Sequence, residues 1–214
     1  MSRDKFYEIC VQKNIVDTSA KILVLGAGIK DESIFKKLNF KNVTYSNYNS
    51  SGQNDKYINN ILLQDIKLED ESYDYCVAHA CIHHSSKPHN SILEMYRVAK
   101  KGILVIEAND CLTTRIACRL NYAEEFEKTA VINNNLSGGV DNSDIPNFVY
   151  RWTEREVYKL ISSYRPQIKH KIKFYYGNDV KFFRNFFLKF LFMIFFKVFK
   201  KQQNLFAFYI DKVN

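Results

Sequence analysis

The run Lys21–Lys30, KILVLGAGIK, constrains the fold more than any other stretch of the chain. Its apolar residues meet Gly26-Ala27-Gly28, and a helical pattern follows over Asp31–Leu38, which predicts a strand, a tight turn and a helix. Glycines let the backbone approach a ligand closely, and a helix N-terminus offers N–H groups, as in many nucleotide or nucleoside sites. The dinucleotide fingerprint is incomplete, because Asp31 stands where its third glycine belongs.

Apolar segments alternate with helical patterns through the first half of the chain. This alternation predicts a parallel, doubly wound sheet with right-handed crossovers. A helix is expected to start at Pro88 and to close on Lys100, Lys101 and a capping Gly102. The strands predicted after the first one are Asn42–Asn47, Ile58–Leu63, Tyr73–His79 and Ile103–Ile106.

The second half has a different pattern. A Gly/Asn/Ser/Pro-rich loop is expected over Asn133–Asn147, and Thr153 with Glu156 forms a capping box for a helix over Trp152–Tyr164. Further helices are predicted over Thr113–Leu120 and Tyr122–Ala130, and strands over Ile168–Tyr176 and Leu205–Asp211. We predict one domain over residues 1–214, with a cofactor-binding core (21–110), a helical acceptor-lid segment (111–165) and C-terminal strands (166–214).

Composition narrows the cellular setting. The five cysteines form no C-x-x-C pair, which favours a reducing compartment over a disulfide framework. The first ten residues, MSRDKFYEIC, lack the apolar core of a signal peptide, so a cytoplasmic location is expected. Much of the net charge of +8 comes from residues after Arg165, so we expect no nucleic-acid partner on the basis of charge.

The segment Lys181–Lys201, KFFRNFFLKFLFMIFFKVFKK, is the outlier in composition. Its length approaches that of a membrane span, but Arg184, Asn185, Lys189 and Lys197 interrupt it. Two interpretations stay open. The segment is either a helix packed across the sheet or an interfacial helix in peripheral contact with a membrane.

Polar and small residues follow the predicted strands at five places. The carboxyl ends of parallel strands are where open α/β sheets bind ligands. A carboxylate at this edge can accept hydrogen bonds from a ribose hydroxyl or an adenine amino group, and Asp65 has this position. The five places are Gly26–Gly28, Asn47, Asp65, Ala78–His84 and Glu107–Asp110.

Four histidines and a cysteine cluster between His79 and His89. We predict no metal site here, because His79 ends a strand and His83 begins a loop, which would send their ring nitrogens to different places. The other hypotheses are hydrogen-bonded polar histidines and a general base, since histidine titrates near neutral pH.

The stretch Asp65–Val105 resembles the type 11 (ubiquinone-biosynthesis-like) class I S-adenosylmethionine-dependent methyltransferases. An Asp-Ala-like pair, an acidic turn, an aromatic-Asp strand, a small-residue/His-His segment and a basic helix end follow one another in that family. The matching residues here are Asp65-Ile66, Glu69–Glu71, Tyr73-Asp74, Ala80–His84 and Glu94–Gly102. Residues Ser137–Val157 resemble a bacterial branch associated with surface-polysaccharide biosynthesis.

The resemblance implies an α/β, seven-stranded, mostly parallel sheet with an antiparallel last strand, and S-adenosylmethionine as the cofactor. It also implies cofactor-binding roles at eight positions. Gly26, Ala27 and Gly28 would lie against the methionine and ribose parts, Asn47 at the ribose, Asp65 and Ile66 beside adenine, and Ala78 and His79 beneath the methionine part.

The function expected from this resemblance is O-methylation of a small molecule or glycan precursor. His83 or His84 would act as the base, and Tyr150, Arg151 and Trp152 would form an acceptor lid. Val24 stands where the family's first motif usually has Asp, and Lys30 where a third glycine is common. The alternative is therefore a catalytically degenerate binding or scaffold protein, associated with a membrane surface through Lys181–Lys201.

Overall fold

The computed structural model describes residues 1–47, 57–133, 137–179 and 186–212. These residues form a single seven-stranded sheet. The strands are Ile22–Leu25 (β1), Val43–Asn47 (β2), Tyr57–Asn59 (β3), Tyr73–His79 (β4), Ala99–Ala108 (β5), Lys171–Gly177 (β6) and Leu205–Asp211 (β7). Their order is β3-β2-β1-β4-β5-β7-β6, and only β7 runs antiparallel to its neighbours, which confirms the predicted fold class.

Helices cover both faces of the sheet, and each face has its own core. Alternate residues of β1 show the division, since Leu23 packs in the core with the helices Pro88–Val98 and Glu154–Tyr164, and Val24 in the core with the helices Arg3–Asn14 and Ile29–Lys37. The helices are Arg3–Asn14 (α1), Ile29–Lys37 (α2), Pro88–Val98 (α3), Leu112–Arg119 (α4), Lys128–Asn133 (α5), Glu154–Tyr164 (α6) and Phe186–Val198 (α7).

Gly102 does not cap a helix, contrary to the prediction. Helix α3 ends at Val98, and the three residues Lys100-Lys101-Gly102 lie in β5. A Cβ on Gly102 would lie 2.7 Å from the Tyr209 hydroxyl and 2.8 Å from the Ile210 carbonyl. The glycine therefore permits the close approach of β7, a contact that the local sequence does not reveal.

Two other segments differ from their predicted boundaries. Strand β3 ends at Asn59, so residues 60–64 already belong to the loop that leaves the sheet edge. The helix expected over Tyr122–Ala130 is confined to Lys128–Asn133, because Phe126 pairs instead with Phe148 in an antiparallel bridge. The division of the chain into three functional segments stays a prediction.

Helix α7 carries a run of exposed apolar side chains. Phe196 is buried, but most described side chains of this helix face solvent, so the described part of α7 is not covered by the sheet. Within the described residues, no helix has both the length and the apolarity needed to cross a membrane. The exposed apolar residues are Phe190, Leu191, Phe192, Met193, Ile194, Phe195, Val198 and Phe199.

Candidate active site

The glycine turn after β1 packs directly against the segment that follows β4. Gly26 has φ +61°, and a Cβ on it would lie 2.5 Å from the Cβ of Cys81. The thiol of Cys81 in turn donates to the carbonyl of Leu25, with an S–O distance of 3.2 Å. Both the backbone conformation and the lack of space require glycine at this position.

The start of α2 and the end of β2 both form hydrogen bonds with the glycine turn. The Gly28 N–H donates to a carboxylate oxygen of Asp31 at 2.9 Å, so the buried Asp31 caps α2. The side-chain amide of Asn47 donates to the carbonyl of Ala27 at 3.1 Å, and the Ala27 N–H donates to Ser46 at 2.8 Å. The turn is thereby tied to the neighbouring strand.

A cavity of about 480 Å³ opens at these strand ends, and we call it the larger cavity. Its floor includes the predicted residues Gly26 and Asn47, and a loop over residues 137–142 forms one wall. Asp141 joins this loop to the opposite side, because one of its carboxylate oxygens accepts from the side chain of Gln64 at 3.0 Å and from the Ser86 N–H at 3.1 Å.

A second cavity of about 110 Å³ lies beside the first, on the β5 side, and we call it the smaller cavity. Ala80, which has φ +50°, lines both cavities. Five residues that line the smaller cavity are charged or ionisable. They are Arg3, His79, His83, Glu107 and Glu127.

Five predicted cofactor residues lie outside the lining of both cavities, and they are Ala27, Gly28, Asp65, Ile66 and Ala78. Asp65 forms an ion pair with Lys67 at 2.7 Å, Ile66 is buried in the core, and Ala78 is buried within β4. Residues 61–64 line the larger cavity instead. The shift follows from the early end of β3, which brings residues before Asp65 to the sheet edge.

His83 is held between two carboxylates. Its Nδ1 lies 2.6 Å from Glu107, and its Nε2 lies 3.5 Å from Glu127. Burial alone would lower the pKa of His83, but Glu107 and Glu127 outweigh it and raise the pKa to about 10. His83 is therefore protonated at neutral pH, which is contrary to the expected role of a free base.

The pKa values of Glu107 and Glu127 shift downward. Burial opposes the ionisation of Glu107, but the charge of His83 dominates and lowers its pKa. The contact with His83 likewise lowers the pKa of Glu127 to about 2. All three groups are therefore charged together in the folded chain.

His84 presents a different environment. Its Nδ1 lies 2.9 Å from the carbonyl of Gly138, which assigns the ring proton to Nδ1 and leaves an electron pair on Nε2. Burial, followed by the charge of His83, lowers the pKa of His84. His84 lines the larger cavity and His83 the smaller one, so the pair stands between them.

His79 lines the smaller cavity from the end of β4. Burial lowers its pKa, although Asp31 opposes that effect. Its Nε2 is buried and finds no hydrogen-bond partner among the residues described.

The predicted acceptor lid is part of the packed structure. Trp152 is fully buried, and its ring packs near those of His89 and Tyr150. Arg151 donates to the carbonyl of Glu124 at 2.7 Å, and the Tyr150 hydroxyl donates to Glu156. The structure brings none of the three into the lining of either cavity, whereas Val149 does line the smaller one.

Sequence reasoning missed Arg3 and Glu127, and named Glu107 only as part of a strand-end segment. Arg3 begins the N-terminal helix and Glu127 directly precedes α5, so neither follows a strand. Nothing in the local pattern around these residues indicates a site. They meet His79 and His83 only through the tertiary fold.

One family model matches the central part of the chain. Residues 36–106 match the family model described as a methyltransferase domain. The match covers about a third of the chain and includes β2, β4, α3 and most of β5. Among curated proteins, no sequence matches the chain.

Solved structures share the fold of this chain over nearly its whole length. One is a chain of the complex containing the Haloferax volcanii Trm112 methyltransferase activator (TM-score 0.63, 10% identity, 99% of this chain and 94% of that chain). Another is the plantazolicin methyltransferase BpumL in complex with SAH (0.57, 17%, 99% and 83%). A third is a SAM-dependent methyltransferase from Archaeoglobus fulgidus (0.57, 13%, 98% and 94%). At these identities, the likeness demonstrates the fold.

Proposed function

We propose that the chain is an S-adenosylmethionine-dependent methyltransferase that methylates a hydroxyl oxygen of a small molecule or glycan precursor. The observation that carries the proposal is the meeting of two cavities at Ala80, at the carboxyl ends of the central strands. The larger cavity takes the cofactor and the smaller one takes the acceptor group. Bound S-adenosylmethionine supplies a methyl group already activated by a positively charged sulfur.

The larger cavity suits such a cofactor. It lies at the glycine turn and at the end of β2, where Gly26, Ser46 and Asn47 line it, and it is large enough for a nucleoside with a side arm. BpumL, which shares the fold, is in complex with SAH. The loop over residues 137–142, joined to Gln64 through Asp141, would exclude water from the cofactor.

Val24 and Lys30, the two residues that depart from the family's first motif, lie away from both cavities. Val24 is fully buried in the core of the sheet, and Lys30 is exposed on α2. Neither residue lines either cavity, so neither blocks the cofactor. This geometry favours the enzyme over the scaffold alternative.

The smaller cavity favours a polar acceptor. Arg3 and protonated His83 supply positive charge, while Glu107 and Glu127 supply carboxylates that accept hydrogen bonds. Neighbouring hydroxyls of a sugar match this mixture of donors and acceptors better than an aromatic ring does. The resemblance of Ser137–Val157 to a polysaccharide-locus branch agrees with a glycan precursor.

The residues of the chain hold the acceptor in line with the methyl group and keep water out. The acceptor oxygen would form the new C–O bond, the C–S bond would break with both electrons left on sulfur, and the hydroxyl proton would pass through Nε2 of His84 to water. We assign activation of that hydroxyl to His84, because His83 beside it is already protonated.

Calorimetry with S-adenosylmethionine and S-adenosylhomocysteine tests the assignment. We expect one molecule of either to bind per chain and to compete with the other. The variant is His84→Ala and its control is His89→Ala. The side chain of His89 is exposed on α3 and lies outside both cavities. His84→Ala should slow methyl transfer at least 100-fold with cofactor affinity nearly unchanged. A folded protein that binds neither ligand at millimolar concentration would refute the proposal.

Helix α7 supports peripheral contact with a membrane as a second part of the proposal. Its exposed apolar side chains suit the acyl boundary of a bilayer, and Lys197 of the helix and Lys200 just after it suit anionic head groups. Neutral and anionic lipid vesicles are the probes, with Met193→Ser combined with Leu191→Ser as the variant and Tyr158→Ser as the exposed control. Co-sedimentation should persist in high salt and be lost only in the α7 variant. Equal sedimentation of all three proteins would contradict it.

A further inference from the structure

Three donor groups converge between the two cavities. Nε2 of His83 lies 3.5 Å from one oxygen of Glu127, and Nε2 of His84 lies 3.6 Å from the other. The donor atoms of all three residues lie within 4.8 Å of one another. The ring nitrogens of these two histidines therefore face one point. His79, which the sequence-based expectation separated from His83, is not part of this cluster.

Both imidazole rings are oriented by a partner on the opposite nitrogen. Nδ1 of His83 lies 2.6 Å from Glu107, and Nδ1 of His84 lies 2.9 Å from the carbonyl of Gly138. Histidines that bind metals are held this way, with the second nitrogen bonded to a carboxylate or a backbone carbonyl. The two rings, with centroids 4.6 Å apart, thus present Nε2 at a shared position.

We propose that His83, His84 and Glu127 bind one divalent transition-metal cation, with Glu107 and the Gly138 carbonyl as supporting groups. Two imidazoles and one carboxylate suit Zn²⁺, Mn²⁺ or Fe²⁺, and three protein ligands leave positions open for another oxygen. For the cation to bind, the proton on Nε2 of His83 is displaced to water.

The position of the site suggests that the cation activates the acceptor hydroxyl. His84 lines the larger cavity, and His83 and Glu127 line the smaller one, so the cation lies at the boundary where the acceptor hydroxyl meets the cofactor. A cation that coordinates this hydroxyl lowers its pKa and holds the oxygen for attack, while the proton passes to water. This role rests on the proposed function, whereas the binding of the cation does not.

The competing interpretation of the same cluster is a permanent ion-pair network. His83 would then stay protonated between Glu107 and Glu127, and His84 would act on the acceptor hydroxyl without a metal. The two interpretations differ in one measurable respect, which is whether the folded chain binds a cation at this place.

The experiment uses the full chain after treatment with a chelator. Co²⁺ is titrated and followed by visible absorption, and Zn²⁺ is titrated by calorimetry. We expect one equivalent of each to bind, and Zn²⁺ to displace Co²⁺. Glu127→Gln should weaken binding by roughly 100-fold, and Glu107→Gln by about 10- to 100-fold, the range typical of supporting groups. Glu125→Gln, at an exposed position on the same segment, should bind like the wild type.

Circular dichroism of each variant checks that it is folded, and S-adenosylhomocysteine is titrated into the same samples. No binding of Co²⁺ or Zn²⁺ at 1:1 stoichiometry to the folded wild type, or equal binding to Glu127→Gln, overturns the metal site. If S-adenosylhomocysteine still binds in that case, the proposed function survives. Cation binding without any binding of S-adenosylhomocysteine would support the metal site and refute the methyltransferase assignment.

Discussion

The ring of Tyr7 stacks on the ring of His79, with centroids 4.4 Å apart and planes 28° apart. Tyr7 belongs to α1, and His79 is the last residue of β4. Because Arg3 of the same helix lines the smaller cavity, α1 forms part of the site as well as covering one face of the sheet. The N-terminal helix therefore links the stability of the fold to the acceptor side of the site.

This stacking predicts an acid-sensitive stability. Burial lowers the pKa of His79 from its ordinary value of 6.5, against the opposing effect of Asp31, and the charges of Arg3, Glu107 and Asp4 act on it as well. The folded chain binds this proton only at a lower pH than the unfolded chain, so the contribution to stability is present above pH 6.5 and is lost as the pH falls through the lowered pKa. The loss is at most about 1.4 kcal/mol per pH unit.

His79→Phe keeps an aromatic ring on Tyr7 and removes the titration. Urea unfolding between pH 6.5 and pH 5 should show a shallower loss of stability in this variant than in the wild type. Above pH 6.5 the raised pKa of His83 makes stability fall with rising pH in both proteins, so that range is left out of the comparison. Tyr158→Ser, at an exposed residue of α6, should follow the wild type. Parallel pH profiles for His79→Phe and the wild type would show that His79 is not the source.

Gly26→Ala should damage both the fold and the site. The positive φ alone costs about 1–2 kcal/mol, and the new Cβ would meet Cys81 at 2.5 Å. We expect lower stability in urea and loss of S-adenosylhomocysteine binding by calorimetry. Gly28→Ala is the matched control, because its Cβ would meet nothing closer than Asp31 at 4.0 Å. Equal stability of the two variants would contradict the packing argument.

Asp141→Ala should weaken cofactor binding without preventing folding. Asp141 accepts from Gln64 and from the Ser86 N–H, and it thereby joins the loop over residues 137–142 to the other side of the larger cavity. Loss of these bonds should lower S-adenosylhomocysteine affinity roughly tenfold, about 1.4 kcal/mol. Asp141→Asn keeps an acceptor oxygen and should recover most of the affinity. Asp144→Ala, at an exposed position, should have no effect.

Trp152→Ala should act on stability rather than on acceptor recognition. The indole is fully buried among His89, Tyr150 and Phe208. Truncation of a large buried aromatic side chain typically costs about 3–5 kcal/mol, which chemical denaturation measures directly. Tyr158→Ala, at an exposed aromatic residue of α6, should change stability by less than about 0.5 kcal/mol. A stable Trp152→Ala protein with an altered acceptor preference would restore the lid interpretation.

Local sequence patterns predicted the elements whose ends are defined by neighbouring residues. The predicted bounds of β4 and β7 match the structure, and Thr153 caps α6 by accepting from the Glu156 N–H. The carboxylate of Glu156 contacts His89 and Tyr150 instead of closing the predicted capping box. The glycine turn, which opens the larger cavity, was also identified correctly. In each case the signal is an apolar period or a cap within a few residues.

Contacts between distant segments decided the rest. Gly102 resembles a helix cap in sequence but serves the approach of β7, and the early end of β3 moves Asp65 away from the larger cavity. Trp152 resembles a lid residue but lies in the core. Neighbouring residues along the chain cannot encode such contacts, because each depends on a partner from another strand or helix.

The sequence by itself determined the α/β class, because the periodicity of apolar residues and the helix caps are local properties. The antiparallel last strand was expected from the family resemblance, and the structure confirms it. Only the tertiary structure decided the chemistry at the carboxyl ends of the strands. His83 and His84 are adjacent in the chain, yet His83 is protonated between Glu107 and Glu127 while His84 faces Gly138. Burial and the charges of distant residues set their protonation, and these exist only after folding.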